Sequence, residues 1–255
     1  KVIFKEEVGS TNDLAMELLG PDEKNGIVIM ADSQTSGRGR LGRPWYSPAG
    51  KNIYMSLALR PNLRLQNASI LTVLTGVAVC KGIKDCTGID VNLKWPNDLI
   101  LKNKKLGGIL IETRVEKEVV IAAVIGIGIN INIDENEFPE DIKNIDTSIV
   151  IETGLHYGRE EIAFSVLRAF DMLFRDNLII DDKINEADIN SSASMKLIQE
   201  WRELDITLGK RVSVITSNEK IVGKAVDIDE MCRLKILTDA GNDKLIHSGD
   251  VSLLL

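Results

Sequence analysis

Val91-Asn-Leu-Lys-Trp-Pro-Asn-Asp98-Leu-Ile-Leu101-Lys-Asn-Lys-Lys105-Leu-Gly-Gly-Ile109-Leu-Ile-Glu-Thr113 is the stretch that decides the fold class. Val91, Leu93 and Trp95 alternate with polar neighbours, and Pro96-Asn97 turns the chain. Leu99–Leu101 is apolar, Asn103-Lys104 turns again, and Leu106–Thr113 is apolar once more. Strands joined by such short turns imply an antiparallel or mixed sheet, because a parallel crossover needs a dozen or more residues. Outward from there, Ile27–Ala31, Asn52–Leu59 and Val119–Ile125 read as further strands, with Ile53, Met55, Leu57 and Leu59 on one face of the second. Helical spacing marks Ala68–Cys86, Arg159–Phe174 and Ala193–Trp201. Ser10-Thr11-Asn12-Asp13 opens a helix with Leu14, Leu18 and Leu19 on its apolar side and Gly20-Pro21 as its stop. Residues 33–50 and the acid-rich 134–146 read as loops, the second one solvated. From Leu204 the texture changes to five short strands between polar turns, the signature of a small barrel. The expected class is α+β, divided into residues 1–204 and 205–255.

The chain has 255 residues and a formal charge of −7, from 31 Lys+Arg against 38 Asp+Glu. With 44% hydrophobic residues it can bury a core, and its acidic balance argues against coating nucleic acid or an anionic membrane. The charge is unevenly spread. No acid lies between Asp32 and Asp85, where Arg38, Arg40, Arg43, Lys51, Arg60, Arg64, Lys81 and Lys84 stand. A purely basic segment in an acidic chain points to a small anion. Cys80, Cys86 and Cys232 are too few and too scattered for a disulfide framework, and Cys80 and Cys86 fall in an apolar helical pattern that predicts core packing. Two histidines, His156 and His247, are poor material for a zinc site or a Ser-His-Asp triad. The N-terminal Lys1-Val-Ile-Phe-Lys has no signal pattern, and the longest apolar run, Val119–Ile133, is interrupted by glycine and asparagine. The expected location is the cytoplasm.

Four segments carry chemistry. Gly37-Arg-Gly-Arg-Leu-Gly42 fits the dinucleotide fingerprint, but Pro44 and Pro48 forbid the helix that must follow, and no acid stands about 20 residues on. What remains is a glycine loop with Arg38, Arg40 and Arg43 as forked donors for carboxylate or phosphate, and Trp45 as a flat wall. A solvated basic loop is the alternative. Lys94-Trp-Pro-Asn-Asp98 offers a cation for phosphate and a carboxylate for a metal or a base, or is an ordinary turn. In Lys105-Leu-Gly-Gly108-Ile109 the paired glycines fit either close approach of a ligand or a bulge. In Gly126-Ile-Gly-Ile-Asn130-Ile-Asn132 two amides inside an apolar run need partners, from a ligand or from neighbouring backbone.

Taken in this order, these segments resemble those of the biotin protein ligases. Ser10-Thr11-Asn12, Gln34, Gly37-Arg-Gly-Arg-Leu-Gly-Arg-Pro-Trp45, Lys94–Asp98, Lys105–Ile109 and Gly126-x-Gly-x-Asn130 carry the likeness, with Trp201-Arg202, Gly209-Lys210 and Ser248-Gly249-Asp250 in the tail. The resemblance implies a catalytic part like the class II aminoacyl-tRNA synthetases, with a mixed, largely antiparallel sheet and helices, followed by an SH3-like β-barrel. It implies two steps. Biotin carboxylate attacks the α-phosphate of ATP, giving biotinyl-5′-AMP and pyrophosphate; a lysine of a biotin carboxyl carrier protein then takes the acyl group and releases AMP. By the same resemblance Ser10, Thr11, Asn12, Gln34, Gly37, Arg38, Trp45, Lys105 and Gly108 hold biotin. Arg38, Arg40, Trp45, Asn97, Ile109 and Asn130 hold the nucleotide, with Asn130 on adenine. Lys105, Arg40, Lys94 and Asp98 serve the chemistry, Asp98 as a candidate for Mg2+ or for orienting the amine. With nine residues before Ser10, the expected form lacks an N-terminal DNA-binding domain, and no nucleic acid or membrane partner is expected; a homodimer is compatible with the likeness. A lipoate or octanoate ligase is the nearest alternative, but its Arg-Arg-x-Ser-Gly-Gly-Gly loop is missing here. A non-catalytic biotin or nucleotide sensor would bind without turnover. Residues 205–255 hold no aromatic residue for a nucleic-acid stacking platform.

Overall fold

A computed structural model describes residues 1–20, 26–179, 188–189 and 191–254. Its elements are β1 (Val2–Val8), α1 (Thr11–Leu18), β2 (Ile27–Gln34), β3 (Ile53–Leu59), β4 (Leu63–Arg64), α2 (Ile70–Thr87), β5 (Asn92–Lys94), β6 (Asp98–Leu101), β7 (Lys104–Glu116) and β8 (Val119–Ile129). There follow α3 (Ile149–Thr153), α4 (Arg159–Asn177), β9 (Leu178–Ile179), β10 (Asp188–Ile189), α5 (Ser191–Leu204), β11 (Arg211–Ile215), β12 (Lys220–Ile228), β13 (Leu234–Thr238), β14 (Asp243–Ile246) and β15 (Asp250–Leu253).

The large sheet runs β1-β2-β3-β8-β7-β6-β5, with β4 added beside β8. Only β1 and β2 pair in parallel; every other pairing is antiparallel, the mixed sheet that the short turns imply. Side chains alternate across β8. Ala122 and Val124 join Ala15 and Leu19 under α1, whereas Ala123, Ile125, Ile127 and Ile129 face the main core under α2 and α4. The first helix departs from expectation in two ways. Leu18 is exposed, and Ala15 is the buried anchor with Leu19. Ser10 stands at the N-cap without a side-chain bond; Gln34 instead accepts from Thr11 N–H at 2.9 Å. Pro21, the expected stop, lies outside the described residues.

The five terminal strands form an antiparallel sheet, β14-β13-β12-β11-β15. Its inner residues Val212, Ile221, Leu234 and Val251 belong to the same buried cluster as Leu93, Trp95 and Trp201. Two cysteine readings part company here. Cys80 is buried as expected, but Cys86 is exposed, because the last turn of α2 runs beyond the core. Among the described residues no helix is long and apolar enough to cross a membrane.

Helices α2 and α4 touch at Gly82. A Cβ built there would lie 2.6 Å from both Val166 N and Cα. Backbone yields less readily than a side-chain tip. Gly82→Ala is therefore expected to lower stability by about 1–3 kcal/mol in urea unfolding, although alanine is the better helix former.

Candidate active site

Antiparallel register lines up Tyr54, Gly128, Gly108 and Asp98 in one row across β3, β8, β7 and β6. All four line a cavity of about 630 Å³. The middle of the row is bare, and it has to be. A Cβ on Gly128 would meet Trp45 Nε1 at 2.6 Å, and one on Gly126 would run into the Asn12 amide. Trp45 and the start of α1 thus rest on the sheet itself.

Register also explains Lys105. Leu99 pairs with Gly107 but Ile100 pairs with Lys105, so β7 carries a bulge at Leu106. Without it, alternation from Gly108 would turn Leu106 into the cavity and Lys105 away. The bulge reverses this: Leu106 is fully buried in the main core, and Lys105 lines the cavity. Lys105 Nζ lies 2.6 Å from Asp98 Oδ1 and 5.8 Å from the centre of a Trp45 ring.

The arginine loop is not the solvated, uncompensated segment that its own composition describes. Arg38 donates to both oxygens of Asp13, at 2.7 and 2.5 Å, and to both of Glu112, at 3.0 and 3.1 Å. These bonds, the one to Asp13 foremost, hold its guanidinium above the usual arginine range. Arg43 pairs with Asp250 of the terminal sheet. Arg40 differs. It donates to neutral oxygens, Asn97 Oδ1 at 3.2 Å and Gly249 O at 3.3 Å, and burial lowers its pKa. Among the loop arginines its charge is the one without a hydrogen-bonded carboxylate, and so the one open to an anion. Arg60, further along the basic stretch, donates to the carbonyls of Leu19, Gly20 and Ile121 and closes the end of α1.

A polar chain runs along the cavity side of the floor. Asn12 donates to Glu112 at 2.6 Å, and Ser56 Oγ lies 2.6 Å from Asn12 Oδ1 and 2.7 Å from Thr11 Oγ1. Thr11 donates to Gln34, and Gln34 Nε2 donates to Ser47. The single Ser56 proton serves either Thr11 or Asn12.

Most expected residues converge. Ser10, Thr11, Asn12 and Gln34 line the cavity at one place, and Arg38, Arg40 and Trp45 at the loop. Lys94, Asn97, Asp98, Lys105 and Gly108 line it from the hairpin. Three are placed differently from the rest. Ile109 meets the cavity, but its side chain packs into the main core and its backbone N–H and C=O are both held by Asn97, at 3.0 and 2.7 Å. Gly37 is absent from the lining, because Ser47, Trp45 and Gln34 crowd its Cα. Asn130 also lies outside the lining; its amide donates to Thr147 O at 3.1 Å and accepts from Asn52 at 3.2 Å. The amides of the Gly126–Asn132 run thus find their partners in backbone and side chains, not in the cavity. Asn132 does the same with Tyr157, donating to its carbonyl at 2.8 Å.

The acid-rich loop holds a surprise. Asp146 is buried on the cavity wall, and burial pushes its carboxyl up to about 6. Its backbone is stitched to β7, where Lys105 N–H donates to Ile145 O at 2.9 Å and Thr147 N–H donates to Lys105 O at 2.8 Å. The density of acids around it hid this position in the sequence.

A sheet floor bare of side chains, cations around it and a terminal sheet closing one side make a cavity suited to an anionic ligand. Residues 6–130 match the biotin/lipoate A/B protein ligase family, and 207–254 match the biotin protein ligase C terminal domain. The chain is 35% identical over 252 residues to the bifunctional ligase/repressor BirA of Bacillus subtilis, covering 99% of this chain and 74% of that one. It is 31% identical over 251 residues to the biotin–[acetyl-CoA-carboxylase] ligase of Mycobacterium tuberculosis, covering 96% and 86%. The biotin protein ligase of Aquifex aeolicus, solved in complex with biotin and ATP, superposes with a TM-score of 0.79 at 32% identity, over 100% of this chain and 98% of that one. The chain belongs to the biotin/lipoate A/B protein ligase family.

The raised carboxyl of Asp146 has a consequence for stability. Between 3.8, its ordinary value, and about 6 the folded state binds more protons than the unfolded one. Stability therefore falls as pH rises through that window, and the penalty is complete above it. Asp146→Asn is expected to raise the melting temperature at pH 8, by the equivalent of about 3 kcal/mol at most. The gain should vanish below pH 4, as thermal unfolding across pH will show.

Proposed function

We propose that this chain activates biotin with ATP to biotinyl-5′-AMP and passes the biotinyl group to a lysine of a biotin carboxyl carrier protein or domain, with the cytoplasm as its compartment. One observation carries this reading. The bulge at Leu106 turns Lys105 into a cavity with a bare floor, next to Trp45, and its partner there is a carboxylate, Asp98, which a substrate carboxylate can replace. The named relative that joins biotin to acetyl-CoA carboxylase and the solved neighbour with biotin and ATP support it. The division into residues 1–204 and 205–255 belongs to the same reading.

The chemistry follows from the charges. A biotin carboxylate oxygen must approach a phosphate that is itself anionic, so fixed cations have to offset both charges and the charge growing on phosphorus. Lys105 and Arg40 fill that role in this reading, with Lys94 on the phosphates. Thr11, Gln34, Ser10 and Asn12 offer donors and acceptors for a neutral ureido ring, and Trp45 a flat wall. Arg38, spent on Asp13 and Glu112, is a clasp that holds the loop to the sheet. The alpha carbon of Gly108 leaves room above the floor for the acyl chain.

Magnesium belongs to this reading as a companion of ATP. A magnesium ion keeps several waters and takes one or two carboxylates along with substrate phosphates. In this reading the ion comes in on the triphosphate, with Asp98, which lines the cavity, as the candidate ligand. Bound there, it would neutralise part of the phosphate charge.

Biotin-dependent exchange of labelled pyrophosphate into ATP tests the proposal. Exchange is expected from the wild type and should fall at least about a hundredfold in Lys105→Ala, with unfolding still cooperative. A wild type that binds biotin without exchange is a sensor, and the proposal fails. Arg40→Gly removes the loop's open charge and its ties to Asn97 and Gly249. Its adenylate is expected to escape into solution faster, as rapid filtration of enzyme loaded with labelled biotin will register.

A further inference from the structure

A cavity meant for a carboxylate and a triphosphate should shun acids, yet Asp98, Asp141 and Asp146 all line it near Lys105. Asp98 is matched by Lys105 at 2.6 Å. Asp146 has no such match. Its residue exposure is 9%, it faces the cavity, and no hydrogen bond to its carboxylate occurs among the described residues. Its oxygens reach the cavity and so stay open to a ligand there, at the cost that burial puts on a charge. Nor is it loosely held. The two backbone bonds to Lys105 fix it from both sides, and Asn130 holds the carbonyl of the next residue, Thr147.

Resting on the proposed function, we infer that Asp146 is the proton acceptor for the carrier lysine in the transfer step. A lysine side chain arrives as an ammonium, a cation that an acidic wall attracts and that the anionic substrates of the first step do not supply. To attack the acyl carbon it must shed protons. One proton of the ammonium passes to the Asp146 carboxylate, which later returns it to water; as the N–C bond then forms, the acyl C–O bond to the phosphate breaks, and AMP leaves with the electron pair and takes the second nitrogen proton on its phosphate. The charged groups around Asp146 are Lys105 on β7, Asp98 on β6 and Asp141 on its own loop. Asp98 is assigned to magnesium in the proposed function, which leaves Asp146 for the amine. The carboxyl of Asp146, pushed up to about 6 by burial, is ionised at neutral pH and more basic than an ordinary aspartate, the setting that general-base catalysis favours.

The test supplies synthetic biotinyl-5′-AMP to the enzyme and follows two nucleophiles across pH 5–9. One is the biotin carboxyl carrier domain, whose amine must be deprotonated. The other is hydroxylamine, which is already unprotonated at neutral pH. For the wild type, transfer to the carrier should fall as pH drops through about 6, where Asp146 takes up its proton. In Asp146→Asn that acid limb should disappear and carrier transfer at pH 7.5 should drop about a hundredfold, while hydroxylamine capture drops far less. Asp146→Glu should recover part of the rate. A variant that keeps the wild-type rate and acid limb overturns the inference. So does an equal loss toward both nucleophiles, which makes Asp146 a wall of the site only. A wild type that forms no adenylate from biotin and ATP overturns the function and this inference with it.

Discussion

Everything in the site depends on a strip of sheet without side chains. Gly108 and Gly128 stand side by side in the register of β7 and β8, with Gly126 next along the same face. Glycine in a strand interior costs roughly 0.5–1 kcal/mol against alanine, and here several occur together. The ladder tolerates them because β8 is bonded on both sides and its opposite face is packed with Ile125, Ile127 and Ile129. In return Trp45 lies on Gly128 and Asn12 on Gly126, so a loop and a helix start are both set against one floor. The cavity is the space those two contacts leave.

Charge is arranged around that floor by long-range pairing. The acid-free stretch from Ser33 to Lys84 is neutralised from elsewhere in the chain: Asp13 and Glu112 take Arg38, Asp250 takes Arg43, Glu137 takes Lys51, Glu200 takes Lys81 and Asp90 takes Lys84. The exposed pairs contribute little to stability. Their effect is on shape. They pin the loop by its first and last arginines and leave Arg40 between them, half-buried against neutral oxygens. A half-buried cation with no hydrogen-bonded carboxylate is open to an anionic ligand.

How much of this the chain spells out depends on the range of the interaction. Alternation and 3–4 spacing are local, so β3, β7, β8, α2 and α4 are legible from residues such as Met55, Ile109 and Val166 and their neighbours. Glycines, arginines and the Lys94–Asp98 turn are legible as a site because their chemistry is unusual where they stand. Register is not local. Nothing in Lys105-Leu-Gly-Gly by itself says that Leu106 is the extra residue, and a shift of one would send the lysine to the other face. The partners of Arg40 lie 57 and 209 positions away, beyond any pattern. Asp146 misleads: an acid among acids reads as solvated, until the loop folds back on β7. Asn130 is open in the sequence between ligand and backbone, and its partners Thr147 and Asn52 are set only by the fold.

The terminal sheet is best understood as part of the site. The turn at Trp95 depends on it: Trp95 N–H donates to Asp205 and to Thr207, at 3.0 and 3.1 Å, and its indole donates to Cys232 O at 3.1 Å. Asp205 also accepts from the Trp201 indole and from the N–H groups of Thr207 and Leu208, so one half-buried carboxylate ties the end of α5 to the hairpin that carries Lys94, Asn97 and Asp98. From the other direction Gly249 and Asp250 hold Arg40 and Arg43. Strip the five strands away and Trp95 and Trp201 lose their cover, while the loop loses the anchors of two of its three arginines. The hairpin and the loop both line the cavity. A small sheet that grips both is therefore a means of keeping them in step, which a surface appendage joined by a linker would not be.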